Sequence, residues 1–364
     1  MFGEGNCPDG RQNGNSWRRT LTPRWRPLPW RMAPAMQRFP FCRMPYFDVF
    51  NGDADGICAL HQLRLAEPRD SALVTGVKRN IGLLKEVPAV AGDYVTALDI
   101  SLDKNREALL HLLGLGVSIT YVDHHFAGAI PVHPGLSAVI DPSSDVCTSL
   151  LVDRMLNGQF RIWAVAAAFG DNLPQSARRL AASLHLREPE LARLRELGEC
   201  LNYNAYGDTV ADLLFHPADL YCRLRPFSNP FDFMGEETVI AALREGYAAD
   251  MTFANATKPE RAHAGGKAYI LPDKPWSRRV SGSFGNYLAQ AEPMLAHAIL
   301  TVRRDGGYVV SVRAPLSDPS GADTLCYQFE TGGGRRGAAG INHLPESELA
   351  QFFDRFSAAF RGSR

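Results

Sequence analysis

The sequence predicts an α/β protein. We expect a mostly parallel sheet with helices on both faces, followed by a smaller α/β domain across a cleft. Between residues 46 and 156, short apolar strands alternate with helical patterns, which is typical of βαβ units with right-handed crossovers. Beyond residue 266, strands recur around Asp305-Gly306-Gly307, a strong hairpin signal.

Apolar periodicity places the elements of the first part. Strands are predicted at residues 46–50, 72–77, 94–98, 117–122 and 137–140. Helices are predicted at residues 57–65, 81–87, 104–113, 147–156 and 162–169. Since strands and helices alternate along most of this part, successive strands should lie parallel in one sheet.

The second part begins as a mainly helical region, with helices predicted at residues 177–184, 189–201 and 236–248. The polar segment 256–266 holds Pro and Gly and is interpreted as a linker. Strands at 268–271, 298–303 and 308–313 and helices at 283–291 and 346–360 then form the smaller domain. The predicted domains are therefore 45–255, with the helical extension included, and 267–364.

The first 44 residues differ from the rest. They hold six Pro, three Trp and eight Arg with two acids, a net charge of +6. The repeated Pro argues against the amphipathic helix of a transit peptide. We interpret residues 1–44 as a disordered segment or as an extension ahead of a true start at Met44. Since the whole chain has zero net charge, the remaining residues sum to −6, which disfavours long polyanions as partners.

Composition is that of a soluble globular protein, with 45% hydrophobic and 21% charged residues among 364. No apolar run approaches the roughly 20 residues of a membrane helix, so no membrane partner is expected. The seven cysteines are scattered and none lies in a Cys-x-x-Cys pair. This favours a reducing cytoplasm over a disulfide framework or a zinc ribbon.

Acidic residues follow three predicted strands. Asp53 and Asp55 come after the first strand, Asp99 after the third, and Asp123-His124-His125 after the fourth. Asp171 ends a predicted helix and could reach the same edge. Singly, these residues would be read as turn formers, a helix N-cap or a solvated loop. Because ligand sites of open α/β sheets lie at the carboxyl ends of the strands, their combination predicts one shared site.

Five carboxylates and two imidazoles in one crevice would repel one another unless they were protonated or bound a cation. Carboxylate with imidazole suits Mn²⁺ and also Mg²⁺, with Mn²⁺ favoured by the nitrogen ligand. This many ligands predicts two ions about 4 Å apart, as in two-metal phosphoester sites.

These motifs resemble those of the DHH phosphoesterase family, in the order 51-NGDADG-56, 98-LDIS-101, 123-DHH-125 and 170-GDN-172. A second match, 332-GGGRRGAAG-340, resembles the glycine-rich loop in the C-terminal domain of RecJ-like and nanoRNase-like members. The resemblance spans about residues 46–360.

The resemblance implies a role for each matching residue. Asp53 would bind the first metal and Asp55 the second, and Asp99 would bridge them. His124 and Asp171 would complete the second site, with Asp123 supporting His124 and His125 facing the scissile phosphate as a donor. The glycine-rich loop would hold the non-reacting phosphate or terminus of the substrate through Gly332, Gly333, Gly334, Arg335, Arg336 and Arg313.

Three positions depart from the family pattern. Val49 stands where many relatives have His, and Asn51 stands where RecJ-like members have Asp. Arg335 follows the three glycines where relatives often have His. Asn51 would be a weaker, neutral first-site ligand, so the first ion is expected to bind loosely.

The resulting hypothesis is a metal-dependent phosphoesterase, nuclease-like in class. It would act on short oligoribonucleotides, linear dinucleotides or 3′-phosphoadenosine 5′-phosphate, and a homodimer is left open. One alternative is a RecJ-like single-strand exonuclease, which would prefer long substrates and show steep salt dependence. The other is a nucleotide-binding regulatory protein with a weakened metal site.

Overall fold

The protein is described by a computed structural model over residues 46–361. The extension predicted at residues 1–44 and the proposed start at Met44 lie outside the described residues. Within them, the α/β class is confirmed, with a five-stranded parallel sheet followed by a second, six-stranded sheet.

The first sheet has the strand order β2-β1-β3-β4-β5, and all of its pairings are parallel. Because the chain moves from β1 to β2 on one side and then to β3 on the other, the order reverses beside β1. In open α/β sheets such a switch point opens a crevice at the carboxyl ends of the strands. The strands are β1 (Tyr46–Asn51), β2 (Ala72–Gly76), β3 (Tyr94–Leu98), β4 (Ser118–Asp123) and β5 (Leu136–Ile140).

Helices cover both faces of this sheet, as predicted. On one face, Phe50 and Val122 pack with Trp163 of a continuous apolar core. On the other face, Val49 and Tyr121 pack with Leu109. The helices of this part are α1 (Ala54–Ala66), α2 (Leu102–Gly114), α3 (Thr148–Met155) and α4 (Arg161–Gly170).

The helix predicted at residues 81–87 is wrong. Only a 3₁₀ turn, Leu83–Glu86, forms there. Pro88 ends the segment and restricts the residue before it, which leaves too little length for an α-helix. The side chain of Asn105 on α2 accepts from the backbone N–H of Leu84 at 3.1 Å and so fixes this turn against the sheet.

A helical extension follows, as the sequence predicts. Its core side includes Leu194 and Leu197 of α6 and Leu243 of α9, which join the same apolar core as Trp163. The helices are α5 (Pro174–Ala181), α6 (Glu188–Tyr203), α7 (Pro217–Leu224), α8 (Pro230–Glu236) and α9 (Val239–Ala256).

The second sheet has the order β10-β11-β9-β8-β7-β6. Strands β7 and β8 are parallel across helix α10, and the other neighbours are antiparallel. Its elements are β6 (Arg261–His263), β7 (Gly266–Leu271), α10 (Pro275–Ala291), β8 (Ala296–Val302), β9 (Tyr308–Arg313), α11 (Ala322–Cys326), β10 (Gly332–Arg335), β11 (Ala338–Leu344) and α12 (Leu349–Ala359). Strand β6 lies within the predicted linker 256–266.

The turn between β8 and β9 contains the predicted glycines. Gly306 and Gly307 have φ of 95° and 70°, a backbone conformation that favours glycine. A Cβ on Gly307 would also lie 2.4 Å from the carbonyl oxygen of Leu344. Both observations explain why this position needs glycine.

Arginines of the second sheet region join it to the helical extension. Arg279 of α10 donates to both oxygens of Asp250 on α9, at 2.7 and 3.0 Å. Arg278 and Arg304 both donate to the buried Asp212, at 3.0 and 2.7 Å. The charges of Arg278 and Arg279 are therefore taken up by ion pairs within the protein.

Candidate metal centre

The carboxyl ends of β1, β3 and β4 bring together most of the polar residues that the sequence predicts. Asp53, Asp55, Asp99 and Asp123 are each at most 2% exposed. Asp171, directly after α4, joins them from the side, with an oxygen 3.9 Å from Nε2 of His124. The predicted convergence of these residues is therefore seen in the structure.

Asp53 is the N-cap of α1. Its Oδ1 accepts from the backbone N–H groups of Asp55 and Gly56, at 3.0 and 3.1 Å. Its Oδ2 accepts from the ammonium of Lys78. Burial raises the pKa of Asp53, but the charge and hydrogen bond of Lys78 outweigh that effect, and the pKa is lowered.

Asp55 is held by the N-terminus of α3. Its two oxygens accept from the backbone N–H groups of Thr148 and Ser149, both at 2.7 Å. In return, the Ser149 hydroxyl donates to the backbone oxygen of Asp55 at 2.8 Å. The N-terminus of α3 thus fixes the position of both oxygens of this carboxylate.

Asp99 follows β3 in a left-handed conformation, with φ of 58°. Non-glycine residues adopt this region rarely, and often at functional sites. Its Oδ1 accepts from the Thr148 hydroxyl at 3.2 Å and lies 3.4 Å from Nε2 of His124. Burial, and then the charges of Asp55, Asp53 and Asp171, raise the pKa of Asp99 well above its ordinary value. This is the electrostatic conflict that a bound cation would relieve.

His124 has one ring nitrogen available for a ligand. Its Nδ1 lies 2.9 Å from the carbonyl oxygen of Val146, which can only accept, so Nδ1 carries the proton. Its Nε2 lone pair is then directed toward Asp99 and Asp171. A backbone carbonyl holding the distal nitrogen is a common support for a metal-binding imidazole.

The expected support of His124 by Asp123 is wrong. Oδ1 of Asp123 instead lies 2.7 Å from Nδ1 of His125. The reason is that the carbonyl of Val146 already occupies Nδ1 of His124. Burial lowers the pKa of His125, but the hydrogen bond and charge of Asp123 outweigh it and raise the pKa. His125 is thus favoured as a proton donor.

The described part of the chain contains two groups of three possible metal ligands. One group is Asp55, His124 and Asp171, and the other is Asp99, His124 and His125. Within each group, the donor atoms lie within 4.8 Å of one another. Burial raises the pKa of Asp171, and so do the charges of Asp55 and Asp53. The charge of Lys78 lowers it, but the pKa remains raised. Oxygen donors with one imidazole, crowded and partly desolvated, fit a divalent cation such as Mn²⁺ or Mg²⁺.

No family model and no curated protein matches the sequence. Among solved structures, exonuclease RecJ bound to manganese matches with a TM-score of 0.53 at 17% identity, over 86% of this chain and 89% of that one.

The fold resembles that of exonuclease RecJ.

Two other structures match less well in shape. RecJ from Thermus thermophilus in complex with Mn²⁺ has a TM-score of 0.49 at 17% identity, over 86% of this chain and 51% of that one. PggH, a pGpG-specific phosphodiesterase from Vibrio cholerae, has a TM-score of 0.49 at 12% identity, over 86% and 98%. The likeness of the DHH fold therefore rests on the first structure.

The departures from the DHH pattern have structural consequences. Val49 is fully buried among apolar side chains on one face of the sheet. Asn51 is 3% exposed and donates to the backbone oxygen of Lys78 at 3.3 Å, while its own Oδ1 has no partner.

The glycine-rich segment forms a β-hairpin in this DHH fold, with β10 at the edge of the second sheet. Gly332, Gly333 and Gly334 pair with β11. A Cβ on Gly332 would lie 1.7 Å from the carbonyl oxygen of Cys326. Gly332 is therefore needed for close backbone packing. The segment is therefore one strand of a hairpin and not a loop, and β11 pairs with one edge of it.

Three arginines lie on or next to this hairpin: Arg335, Arg336 and Arg313. Arg335 pairs with Ala338, which pairs with Arg313, so both arginines project from the same face of the sheet. Arg335 and Arg336 are exposed. Arg313 is half-buried and donates to Asn286 at 2.6 Å and to Ser311 at 2.8 Å. No described carboxylate pairs with it, and burial lowers its pKa.

Three residues of the site, Lys78, Asn202 and Tyr206, lie outside the set that the sequence analysis predicts. Lys78 lies two residues beyond β2 and contacts Asp53, Asp171 and Asn202. Its ammonium also lies 5.9 Å from the ring centroid of Tyr206. The segment 202–208 supplies both Asn202 and Tyr206. The sequence offered one signal for Lys78: it follows a predicted parallel strand, and the carboxyl ends of such strands border the site.

Proposed function

We propose that this chain is a divalent-metal-dependent phosphoesterase that hydrolyses phosphoester bonds of short nucleotide substrates. The observation that carries the proposal is the pair of donor groups that share His124 at the switch point of the sheet, in which Asp55 and Asp99 are buried and His124 and Asp171 are partly exposed. The manganese in the RecJ structure of similar fold agrees with this donor set. Mn²⁺ is favoured over Mg²⁺ because imidazole takes part.

A divalent ion in such a site supplies Lewis acidity and a bound water of lowered pKa. The chain's own residues do the rest. Asp55, Asp99 and Asp171 offer oxygens, and His124 offers Nε2 with its tautomer fixed by Val146. His125 donates a hydrogen bond or a proton to a phosphoryl oxygen from Nε2, since Asp123 holds its Nδ1.

Arg313 is the proposed holder of a second, non-reacting phosphate. Its guanidinium donates to Asn286 and Ser311 and pairs with no carboxylate among the described residues. Arg335, Arg336 and the three glycines extend the same region for a longer substrate.

Charge limits the length of the substrate. Residues 45–364 carry a net charge of −6, while residues 258–340 hold eleven Lys or Arg against seven acids. A local basic region on an acidic body suits a short nucleotide better than a long single strand. The proposed substrates are short oligoribonucleotides, linear dinucleotides and 3′-phosphoadenosine 5′-phosphate.

The test is a substrate panel with chelator-treated protein and added Mn²⁺. It compares a generic bis-aryl phosphodiester, a short RNA, a long single-stranded DNA, a linear dinucleotide and 3′-phosphoadenosine 5′-phosphate. We expect Mn²⁺-dependent hydrolysis of at least one short nucleotide, lost in His124→Ala. The exposed Asp354→Asn on α12 serves as control.

Two outcomes would contradict the proposal. Steeply salt-dependent preference for the long DNA would favour a single-strand exonuclease instead. Tight nucleotide binding without turnover, unchanged by chelator, would favour a regulatory binding protein.

A further inference from the structure

Lys78 is built into the acidic cluster. Its backbone N–H donates to the carbonyl oxygen of Ala205 at 2.9 Å, and its own carbonyl accepts from Asn51 at 3.3 Å. Its ammonium contacts Oδ2 of Asp53, Oδ1 of Asn202 at 3.1 Å and Oδ1 of Asp171 at 3.4 Å. An ammonium has three N–H donors, and here there are three acceptors. Lys78 is therefore a fixed cation without a donor left for a substrate.

Asp53 and Asp55 differ in the charge beside them. Both oxygens of each carboxylate accept hydrogen bonds, but Asp53 accepts from the ammonium of Lys78 as well as from backbone N–H groups of α1, whereas Asp55 accepts from backbone N–H groups of α3. Asp55 belongs to a donor group, whereas Asp53 belongs to neither of the two groups in the described chain. Both groups contain His124, so an ion near its Nε2 could take oxygens from either group.

Charge balance points the same way. Asp53, Asp55, Asp99 and Asp171 together carry four negative charges when ionised. The ammonium of Lys78 and one divalent ion would leave one negative charge uncompensated. A second divalent ion on Asp53 would lie within a few ångströms of the ammonium, and like charges at that distance in a partly buried site repel strongly.

We propose that Lys78 takes the place of a second metal ion, so that this site holds one divalent ion. The ion lies between Asp55, Asp99, His124 and Asp171. Lys78 is a positioning residue: it neutralises Asp53 and holds Asp171 toward the ion. This inference rests on the proposed metal-dependent phosphoesterase function, and it changes the two ions expected from the sequence to one ion and one ammonium.

The experiment measures metal stoichiometry on the chelator-treated full chain. Mn²⁺ is titrated in, with free ion measured by electron paramagnetic resonance and total metal by elemental analysis. We expect one tightly bound, magnetically isolated Mn²⁺ per chain. Lys78→Met removes the charge and frees Asp53, so a second, weaker ion should bind. Lys78→Arg should keep one ion, and the exposed Lys85→Met should do the same.

Two aspartate variants give an independent measurement if Lys78→Met does not fold. Asp53→Asn should retain the ion with about threefold change in affinity or less, because Asp53 is not a ligand. Asp55→Asn should lower the affinity for Mn²⁺ about 100-fold or more. Losing a residue that only supports a ligand costs about 10- to 100-fold, and losing a ligand itself should cost at least as much.

The outcomes separate this inference from the proposed function. Two tightly bound, magnetically coupled ions in the unmodified chain would overturn the role of Lys78 and leave the phosphoesterase proposal standing. Equal stoichiometry in Lys78→Met and the unmodified chain, or equal loss of affinity in Asp53→Asn and Asp55→Asn, would overturn it as well. No bound Mn²⁺ at all would overturn the phosphoesterase proposal, and this inference with it.

Discussion

The polar edge of the first sheet and the glycine hairpin of the second sheet (β10 and β11) carry the two clearest motifs of the sequence, yet they are built differently. At the polar edge, Asp55 and Asp99 are buried and each is fixed by several partners. At the glycine hairpin, the backbone is fixed by its ladder, but Arg335 and Arg336 are exposed.

This difference separates two tasks. Chemistry on a phosphoester needs donor atoms held within a fraction of an ångström, which only buried, hydrogen-bonded side chains provide. Holding the remote end of a substrate needs charge of the right sign, which an exposed arginine provides without fixed geometry. The two regions should therefore respond very differently to substitution.

The largest effect is expected at the polar edge. Asp99→Asn keeps the shape and the left-handed backbone but removes a charge that the ion would use. We expect about a 1000-fold loss of kcat/KM on the bis-aryl phosphodiester, since metal stabilisation of a transition state amounts to several kcal/mol. The control is Asp354→Asn. Retention of more than a tenth of the activity by Asp99→Asn would contradict the role of this carboxylate.

The second effect is on stability and concerns the backbone of the glycine hairpin. Gly332→Ala places a Cβ 1.7 Å from the carbonyl oxygen of Cys326, so the strand must shift. We expect the free energy of unfolding to fall by about 3 kcal/mol, measured by chemical denaturation. The matched control is Gly333→Ala, whose Cβ would meet the Tyr327 ring at 3.9 Å. Equal stability of both variants would show that the close packing at Gly332 is unimportant.

The third effect tests the link between the two regions. Arg313→Met should lower kcat/KM about tenfold for 3′-phosphoadenosine 5′-phosphate, the cost of about one charge-assisted contact. The bis-aryl phosphodiester has no second phosphate, so its hydrolysis should be unchanged. If both substrates lost activity equally, Arg313 would act on the fold or on the metal centre and not on a second phosphate.

The smallest effect is expected at the tip of the glycine hairpin. Arg335→Met removes an exposed charge and should raise KM for a short RNA about threefold at low salt, with less effect at high salt, as for surface electrostatics. Turnover should stay the same. If Arg335→Met lowered kcat as much as Asp99→Asn does, the glycine hairpin would not differ from the polar edge in the way described here.

Much of the metal centre could be predicted because strand ends are local signals. Asp53, Asp99 and Asp123 follow apolar runs, and parallel strands bring such residues to one edge. The sequence does not predict whether Asp123 binds His124 or His125. That choice is set by the carbonyl of Val146, which accepts the hydrogen bond from Nδ1 of His124. Such a choice depends on packing, not on motif spacing.

Lys78 was missed for a related reason. No pattern surrounds it in the sequence, and its partner Asn202 lies on a helix 124 residues away. The 3₁₀ turn at Leu83–Glu86 was predicted as a helix because apolar spacing in a short segment does not report its hydrogen bonds, which here involve Asn105.

The left-handed backbone of Asp99 has a consequence for natural and engineered variation. Asparagine and glycine adopt this conformation more readily than other residues, so replacing Asp99 by either removes the carboxylate without disturbing the chain path. The Asp99→Asn and Asp99→Gly variants should therefore lack activity but fold normally, and so escape the quality control that degrades misfolded chains. The abundance of such a protein in a cell then says nothing about whether it works.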